Sequence, residues 1–299
     1  MVFKKVLAAG SGVLGSQIAF QTAFHGYDVH IYDLNQKAIA YAKERLTKLK
    51  DNYKQDLGAT QQEVDAAYNR IVFFTDLENA VEDVDLVIES VPEDPEIKKD
   101  FYKQLREVAP EKTIFATNTS TLLPSDFASI TGRPKKFLAL HFANEIWKNN
   151  TAEIMGHATT DKAVFKAIVS FAESIGMIPL ELHKEQSGYL LNSLLVPLLD
   201  AAMDLLVKDV ADIETIDKAW VIGTGAAVGP GAIFDTVGLN TVYNINKMKA
   251  EKSKNPWDEK VVAYIKEHFI DTGKLGVAEG QGFYKYPNPA YQDPDFYKK

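Results

Sequence analysis

Residues 5–15, KVLAAGSGVLG, restrict the fold more than any other stretch of this chain. KVLAAG reads as a short buried strand, and a helix is expected from about Ser16 to Phe24. Between them lies Gly10-x-Gly12-x-x-Gly15, and a second strand, DVHIYD, ends in Asp33, 23 residues after Gly10. Each part has a physical reason. Gly10 allows the tight turn, Gly12 lets backbone approach a pyrophosphate, and Gly15 lets helix pack closely on strand. The turn, with Ser11, Val13 and Leu14, presents N–H groups and the positive end of a helix dipole to phosphate. Asp33 would accept hydrogen bonds from a ribose 2′-hydroxyl and repel a 2′-phosphate, so the expected cofactor is NAD rather than NADP.

The alternation continues. RIVFFT (70–75), DLVIES (85–90), TIFATN (113–118) and FLALHF (137–142) are continuous apolar strands, the pattern of a sheet buried on both faces. A polar helix is expected over about 35–54, a crossover helix over 95–109 with Pro95 in its first turn, and another helix over about 161–175 between TAEIMG and MIPLELH. The expected architecture is α/β: a Rossmann-like, doubly wound, mainly parallel sheet. After HKEQSG the strand character disappears. The boundary is set near residue 185, giving an NAD-binding domain over 1–185 and an all-helical substrate and dimerisation domain over 186–299, with apolar helices at 188–207 and about 231–248.

Composition removes several function classes. The net charge is −8, so no nucleic-acid footprint is expected. Without Cys there are no disulfides, thiolate metal sites or cysteine nucleophiles; no metal site is expected, and a reducing, cytoplasmic setting fits. Asn192, Pro197, Asp200 and Asp204 interrupt the most apolar stretch, which argues for a buried helix rather than a membrane span. The first residues run straight into a strand, and no signal peptide is expected.

Ligands in such sheets bind beyond the carboxyl ends of the strands. Two strands deliver polar residues there: NTST, with Asn118, Ser120 and Thr121, and HF, with His141 and Asn144 just after it. If 137–142 and 152–156 form a hairpin, His141 and Glu153 become cross-strand neighbours. Hydride transfer from an alcohol needs a base for the hydroxyl proton, which a histidine supplies near neutral pH, and a carboxylate on its far nitrogen would fix the tautomer. Ser120 and a carboxamide would hold the substrate oxygen.

With these residues in hand the chain resembles the short-chain L-3-hydroxyacyl-CoA dehydrogenase family, which includes 3-hydroxybutyryl-CoA dehydrogenases. The likeness runs through GSGVLGSQIA, VPED (91–94), IFATNTSTL (114–122), LHFAN (140–144), AEIMG (152–156), SGYLLNSLLVPLL (187–199), VGPGAIFDTVGL (228–239) and GQGFYKY (280–286). It implies NAD-dependent interconversion of a 3-hydroxyacyl-CoA, with short acyl chains, and its 3-oxo form, a step of fatty acid metabolism, in a homodimer. It makes His141 the general base and Glu153 its orienting partner. Ser120 and Asn192 become substrate-oxygen contacts, and Glu93, Lys98 and Asn144 neighbours of the nicotinamide half. A solvated helix face is the alternative place for Lys98. The chain departs from the family where Glu145 replaces a proline, where Ser193 replaces an arginine and where Ala278 replaces a lysine. Lys43, Lys48, Lys50 and Lys54 are only candidates for CoA phosphate contact. The same chemistry on a free small hydroxy acid, such as a sugar acid or a carnitine-like acid, therefore stays open as the alternative.

Overall fold

The computed structural model describes residues 3–298. Its first part runs β1 (Lys5–Ala9), α1 (Val13–Phe24), β2 (Asp28–Tyr32), α2 (Gln36–Leu57), α3 (Gln61–Asn69), β3 (Ile71–Phe74), α4 (Leu77–Val81), β4 (Leu86–Glu89), α5 (Pro95–Val108), β5 (Ile114–Thr117), β6 (Phe137–Phe142), β7 (Thr151–Met155), α6 (Lys162–Ser174) and β8 (Ile178–Leu182). The strands form one sheet in the order β3-β2-β1-β4-β5-β6-β7-β8. All neighbouring pairs are parallel except β6 and β7, which run antiparallel with His141 opposite Glu153. The order reverses between β1 and β4, and that switch point opens a crevice at the strands' carboxyl ends.

The apolar runs fill both sides of this sheet because successive side chains point to opposite faces. Val6, Ala8, Val29, Ile31, Leu86 and Ile88 pack under α1, α2, α3 and α6, while Leu7, Ala9, Val87 and Phe115 pack against α4 and α5. Helix starts are set by side chains: Asn35, Thr60, Asp76, Asp94 and Asp161 each accept an N–H of the first turn. The short helices α3 and α4 carry no long apolar period, and pattern reading leaves them out.

The chain parts into two compact units between Leu191 and Asn192. The second holds α7 (Leu191–Val207), α8 (Ile213–Thr224), α9 (Pro230–Val237), α10 (Leu239–Ser253) and α11 (Pro256–Ile265) around Met203, Leu206, Phe234, Leu239, Val261 and Phe269. The single helix expected at 231–248 is broken at Gly238, whose φ of 88° ends α9 and opens α10. Two buried aspartates tie the C-terminal motif to these helices. Asp235 accepts the N–H groups of Phe283 and Tyr284 and the hydroxyl of Tyr286, and Asp217 accepts the hydroxyl of Tyr284 and the N–H of Gly231. No helix among the described residues is long and apolar enough to cross a membrane.

Candidate active site

The Gly-rich turn has the geometry its sequence requires. Gly10 sits at φ 97°, and a side chain there would meet the Ser90 carbonyl oxygen at 2.5 Å; one on Gly15 would meet the Gly10 carbonyl oxygen at 2.0 Å. Gly12 differs: a Cβ there would meet nothing within 4 Å, and the residue caps α1 without any side-chain hydrogen bond. Space and unused helix N–H groups thus coincide where a pyrophosphate would lie. Beside it a cleft of about 640 Å³ is lined by Gly10, Ser11, Gly12, Tyr32, Asp33 and Val91. Val13 is exposed at the same turn, whereas Leu14 packs into the core. Ser11 is buried, and its N–H and hydroxyl both donate to Oδ2 of Asp33, at 2.8 and 2.6 Å, while Oδ1 accepts the N–H of Leu34. Asp33 therefore holds the turn in shape and lies at the end of the strand beside it. These residues fit a dinucleotide.

The hairpin brings His141 and Glu153 together. Nδ1 of His141 lies 2.8 Å from Oε2 of Glu153, and both side chains are almost sealed from solvent. Burial alone would raise the Glu153 carboxyl, but hydrogen bonds from His141 and from the N–H groups of Leu191 and Leu190 bring it below its usual value. An ionised carboxylate can only accept, so Nδ1 carries the proton and Nε2 of the neutral ring keeps its lone pair. That lone pair faces the Ser120 hydroxyl at 3.2 Å.

Ser120 is held by Glu93, which the family resemblance implies lies on the nicotinamide side. Oε1 of Glu93 accepts the N–H groups of Ser120 and Thr121, at 3.0 and 3.1 Å, and the hydroxyls of Thr119 and Thr121. Burial would lift this carboxyl, and the bonds from Thr119 and the charge of Lys98 outweigh it and lower it. Lys98 is not on a solvated face. It is 1% exposed, with Nζ 2.6 Å from Glu89 and 3.3 Å from Glu93, so it sits under the site as a buried cation. Glu89 also accepts the hydroxyls of Tyr102 and Thr117. Sequence reading missed Glu89, although a glutamate closing the apolar run LVIE was a visible signal of a paired buried charge.

Asn118 spends its side-chain oxygen on the N–H of Phe142 and is structural. Asn144 is exposed near the end of β6, and its side-chain oxygen accepts from Gln17 of α1. Trp147 is buried on Tyr53, with its indole N–H on Asp56, and so packs on α2 rather than at a pocket mouth. Asn192 is half-buried in the first turn of α7, in the second unit. Of the lysines considered for CoA, Lys50 pairs with Asp65, Lys54 with Asp51, and Lys43 lies over the ring of Phe73. The described residues include no cluster of three or more groups that could hold a metal ion.

The family model of the 3-hydroxyacyl-CoA dehydrogenase NAD-binding domain matches residues 5–186, and that of the 3-hydroxyacyl-CoA dehydrogenase C-terminal domain matches residues 188–286. The chain belongs to the 3-hydroxyacyl-CoA dehydrogenase family. It is an NAD-dependent dehydrogenase of that family, with the Rossmann-like first domain and helical second domain described above. Human mitochondrial hydroxyacyl-coenzyme A dehydrogenase is 32% identical over 292 residues, covering 96% of this chain and 92% of that protein. The 3-hydroxybutyryl-CoA dehydrogenase of Clostridioides difficile is 33% identical over 288 residues, covering 94% and 99%. A solved structure concerned with substrate-directed dual catalysis of dicarbonyl compounds by diketoreductase is 55% identical, with a TM-score of 0.91 over 96% of this chain and 100% of that one.

Proposed function

We propose that the chain interconverts an L-3-hydroxyacyl-CoA and the 3-oxoacyl-CoA, with His141 as general base. The observation that carries this reading is the Ser120–His141–Glu153 arrangement in a family whose members are named for that reaction. The substrate hydroxyl would replace or join the Ser120 hydroxyl at Nε2 of His141. NAD, when bound, would supply the hydride acceptor for the C3 hydrogen. The hydroxyl proton passes to Nε2, and the ionised Glu153 at Nδ1 stabilises the imidazolium that results. In the reverse direction the same imidazolium returns the proton to the carbonyl oxygen. Gly10, Ser11, Gly12, Gly15 and Asp33 would hold the adenosine and pyrophosphate. Glu93, Lys98 and Asn144 would stand on the nicotinamide side, Lys98 acting through Glu93.

A second reading has its own support. The 55% relative is described by its action on dicarbonyl compounds, and the charged α2 lysines Lys50 and Lys54 already have carboxylate partners. On this reading the same dyad reduces a CoA-free dicarbonyl compound or oxidises a free hydroxy acid. Steady-state rates with acetoacetyl-CoA and 3-hydroxybutyryl-CoA, against CoA-free dicarbonyl compounds and hydroxy acids, separate the two. No turnover of any CoA ester sinks the first reading.

We also propose a homodimer built on the helical unit, in the cytoplasm, where a chain without Cys has no disulfide to lose. Leu194 and Val196 are exposed on α7, and an apolar groove of about 350 Å³ between α7 and α8 is lined by Leu198, Leu205, Ile216 and Trp220. A monomer by light scattering at micromolar concentration refutes the dimer.

A further inference from the structure

The segment after β8 runs over the reactive side chains of the first unit. Glu185 accepts the N–H of Ser125, and Ser187 donates its hydroxyl to the carbonyl of Thr121, next to Ser120. Leu190 and Leu191 donate their N–H groups to Oε1 of Glu153 at 2.8 and 2.9 Å. Between these anchors lies Tyr189. Its ring is fully buried and stacks on the His141 imidazole, with centroids 4.7 Å apart and planes 28° apart.

The backbone there is unusual. Gly188 and Tyr189 have φ values of 79° and 54° in succession. Glycine adopts that region freely, but a tyrosine does so only where its surroundings over-determine it. Here the surroundings are the anchors on either side, and the result is that the ring is laid flat on the imidazole.

A flat face does something that the two hydrogen bonds do not. Glu153 fixes Nδ1 and Ser120 meets Nε2, but both contacts lie in the plane of the ring, at its edge, and leave it able to tilt. A stacked ring resists that tilt and keeps water off one face of the imidazole. Sequence reading placed Tyr189 at the start of the apolar helix expected over 188–207 and singled out only Asn192 in SGYLLN.

We propose that Tyr189 is a positioning residue for the base, acting through His141 by fixing the plane of its imidazole. This rests on the reading of His141 as the base, and the experiment separates the two. Turnover, KM and NADH affinity are measured for Y189L, Y189M, Y189F, H141A and the double variant Y189L/H141A, in the full chain. Y189L and Y189M remove the flat face, and kcat falls about 10–100-fold, the scale set by misplacing a reacting group, with NADH affinity kept. Y189F keeps the ring and restores kcat to within about threefold. In the H141A background Y189L has no further effect on the residual rate, because the residue it acts through is gone.

Parent-like turnover of Y189L overturns the proposal. So does a loss in the H141A background as large as in the parent, which marks general packing. Y189F as slow as Y189L shows that the hydroxyl and not the ring face matters, and also overturns it. If Y189L does not fold, Y189M, whose unbranched side chain fills irregular space, is carried through the same cycle. If H141A alone retains parent activity, the assignment of the base has failed, whatever Tyr189 does.

Discussion

Lys98 Nζ lies 2.6 Å from Oε1 of Glu89, with both side chains sealed from solvent, and 3.3 Å from Oε2 of Glu93. Through Glu93 this buried pair reaches the loop that presents Ser120 to His141. Removing one partner strands the other's charge in the interior. Lys98→Met is expected to destabilise the protein by about 3–5 kcal/mol, the scale for breaking a buried ion pair. Adding Glu89→Gln to Lys98→Met removes the stranded charge and recovers part of the loss. Denaturant melts of the single and double variants check this; a double variant no more stable than the single one contradicts it.

Glu153→Gln removes the ionised acceptor at Nδ1 while keeping the shape. A carboxamide neither fixes the tautomer by charge nor stabilises an imidazolium, so kcat should fall about 10²–10⁴-fold, with NADH binding retained. The same carboxyl has its folded value held below the usual one of 4.5. The sign follows: the stability it contributes is present above the unfolded value and is lost as pH falls below about 4.5 through the folded value. The stability difference between parent and Glu153→Gln should therefore shrink as pH drops through that window. Urea melts at a series of pH values read it, and a difference that stays constant below pH 4 refutes the linkage.

What could be read from sequence was set by local rules. The Gly10–Gly15 turn, Asp33 and the apolar strands were legible because period and glycine spacing leave few alternatives. The His141–Glu153 contact was legible because an antiparallel pair has a fixed register once its strands are placed. Other features depend on tertiary neighbours. Lys98 sits on a helix with a polar face, and its burial is explained by Glu89, on a strand nine residues earlier, and by Glu93. Tyr189 meets His141 through a backbone conformation that tyrosine rarely adopts and that no pattern announces. Trp147 looks like a loop residue until α2 supplies Tyr53 and Asp56 to cover it.

The cofactor end yields a paired test. Asp33 holds Ser11 and ends the strand beside the cleft, so Asp33→Ala should weaken NADH binding about 10–100-fold, the range for losing hydrogen bonds to a charged group. NADPH should lose less, since its phosphate no longer meets a carboxylate, and the preference should narrow. Gly15→Ala places a methyl 2.0 Å from the Gly10 carbonyl oxygen and should distort the turn, weakening both cofactors alike. Fluorescence titrations with NADH and NADPH separate the outcomes. Unchanged selectivity in Asp33→Ala removes Asp33 from cofactor choice.

The two buried aspartates of the helical unit predict opposite behaviour. Burial raises both carboxyls above the usual 3.8, and each raises the need for hydrogen bonds to compensate. A folded value above the unfolded one means that stability is greatest below about 3.8 and declines as pH rises through the folded value. Asp217 accepts the Gly231 N–H on one oxygen and the Tyr284 hydroxyl on the other. An asparagine keeps the first bond and can donate to the hydroxyl oxygen in place of the second, so Asp217→Asn should fold normally and flatten the decline with pH. Asp235 accepts N–H groups on both oxygens. Asparagine there sets an NH₂ against an N–H, so Asp235→Asn should lose about 1–3 kcal/mol at low pH, a gap that narrows as the parent's carboxyl ionises. Thermal melts of both variants at a series of pH values from about 3.8 upward read the two slopes against the parent. A pH slope in Asp217→Asn as steep as the parent's would show that this carboxyl ionises in the folded unit as freely as in the unfolded chain.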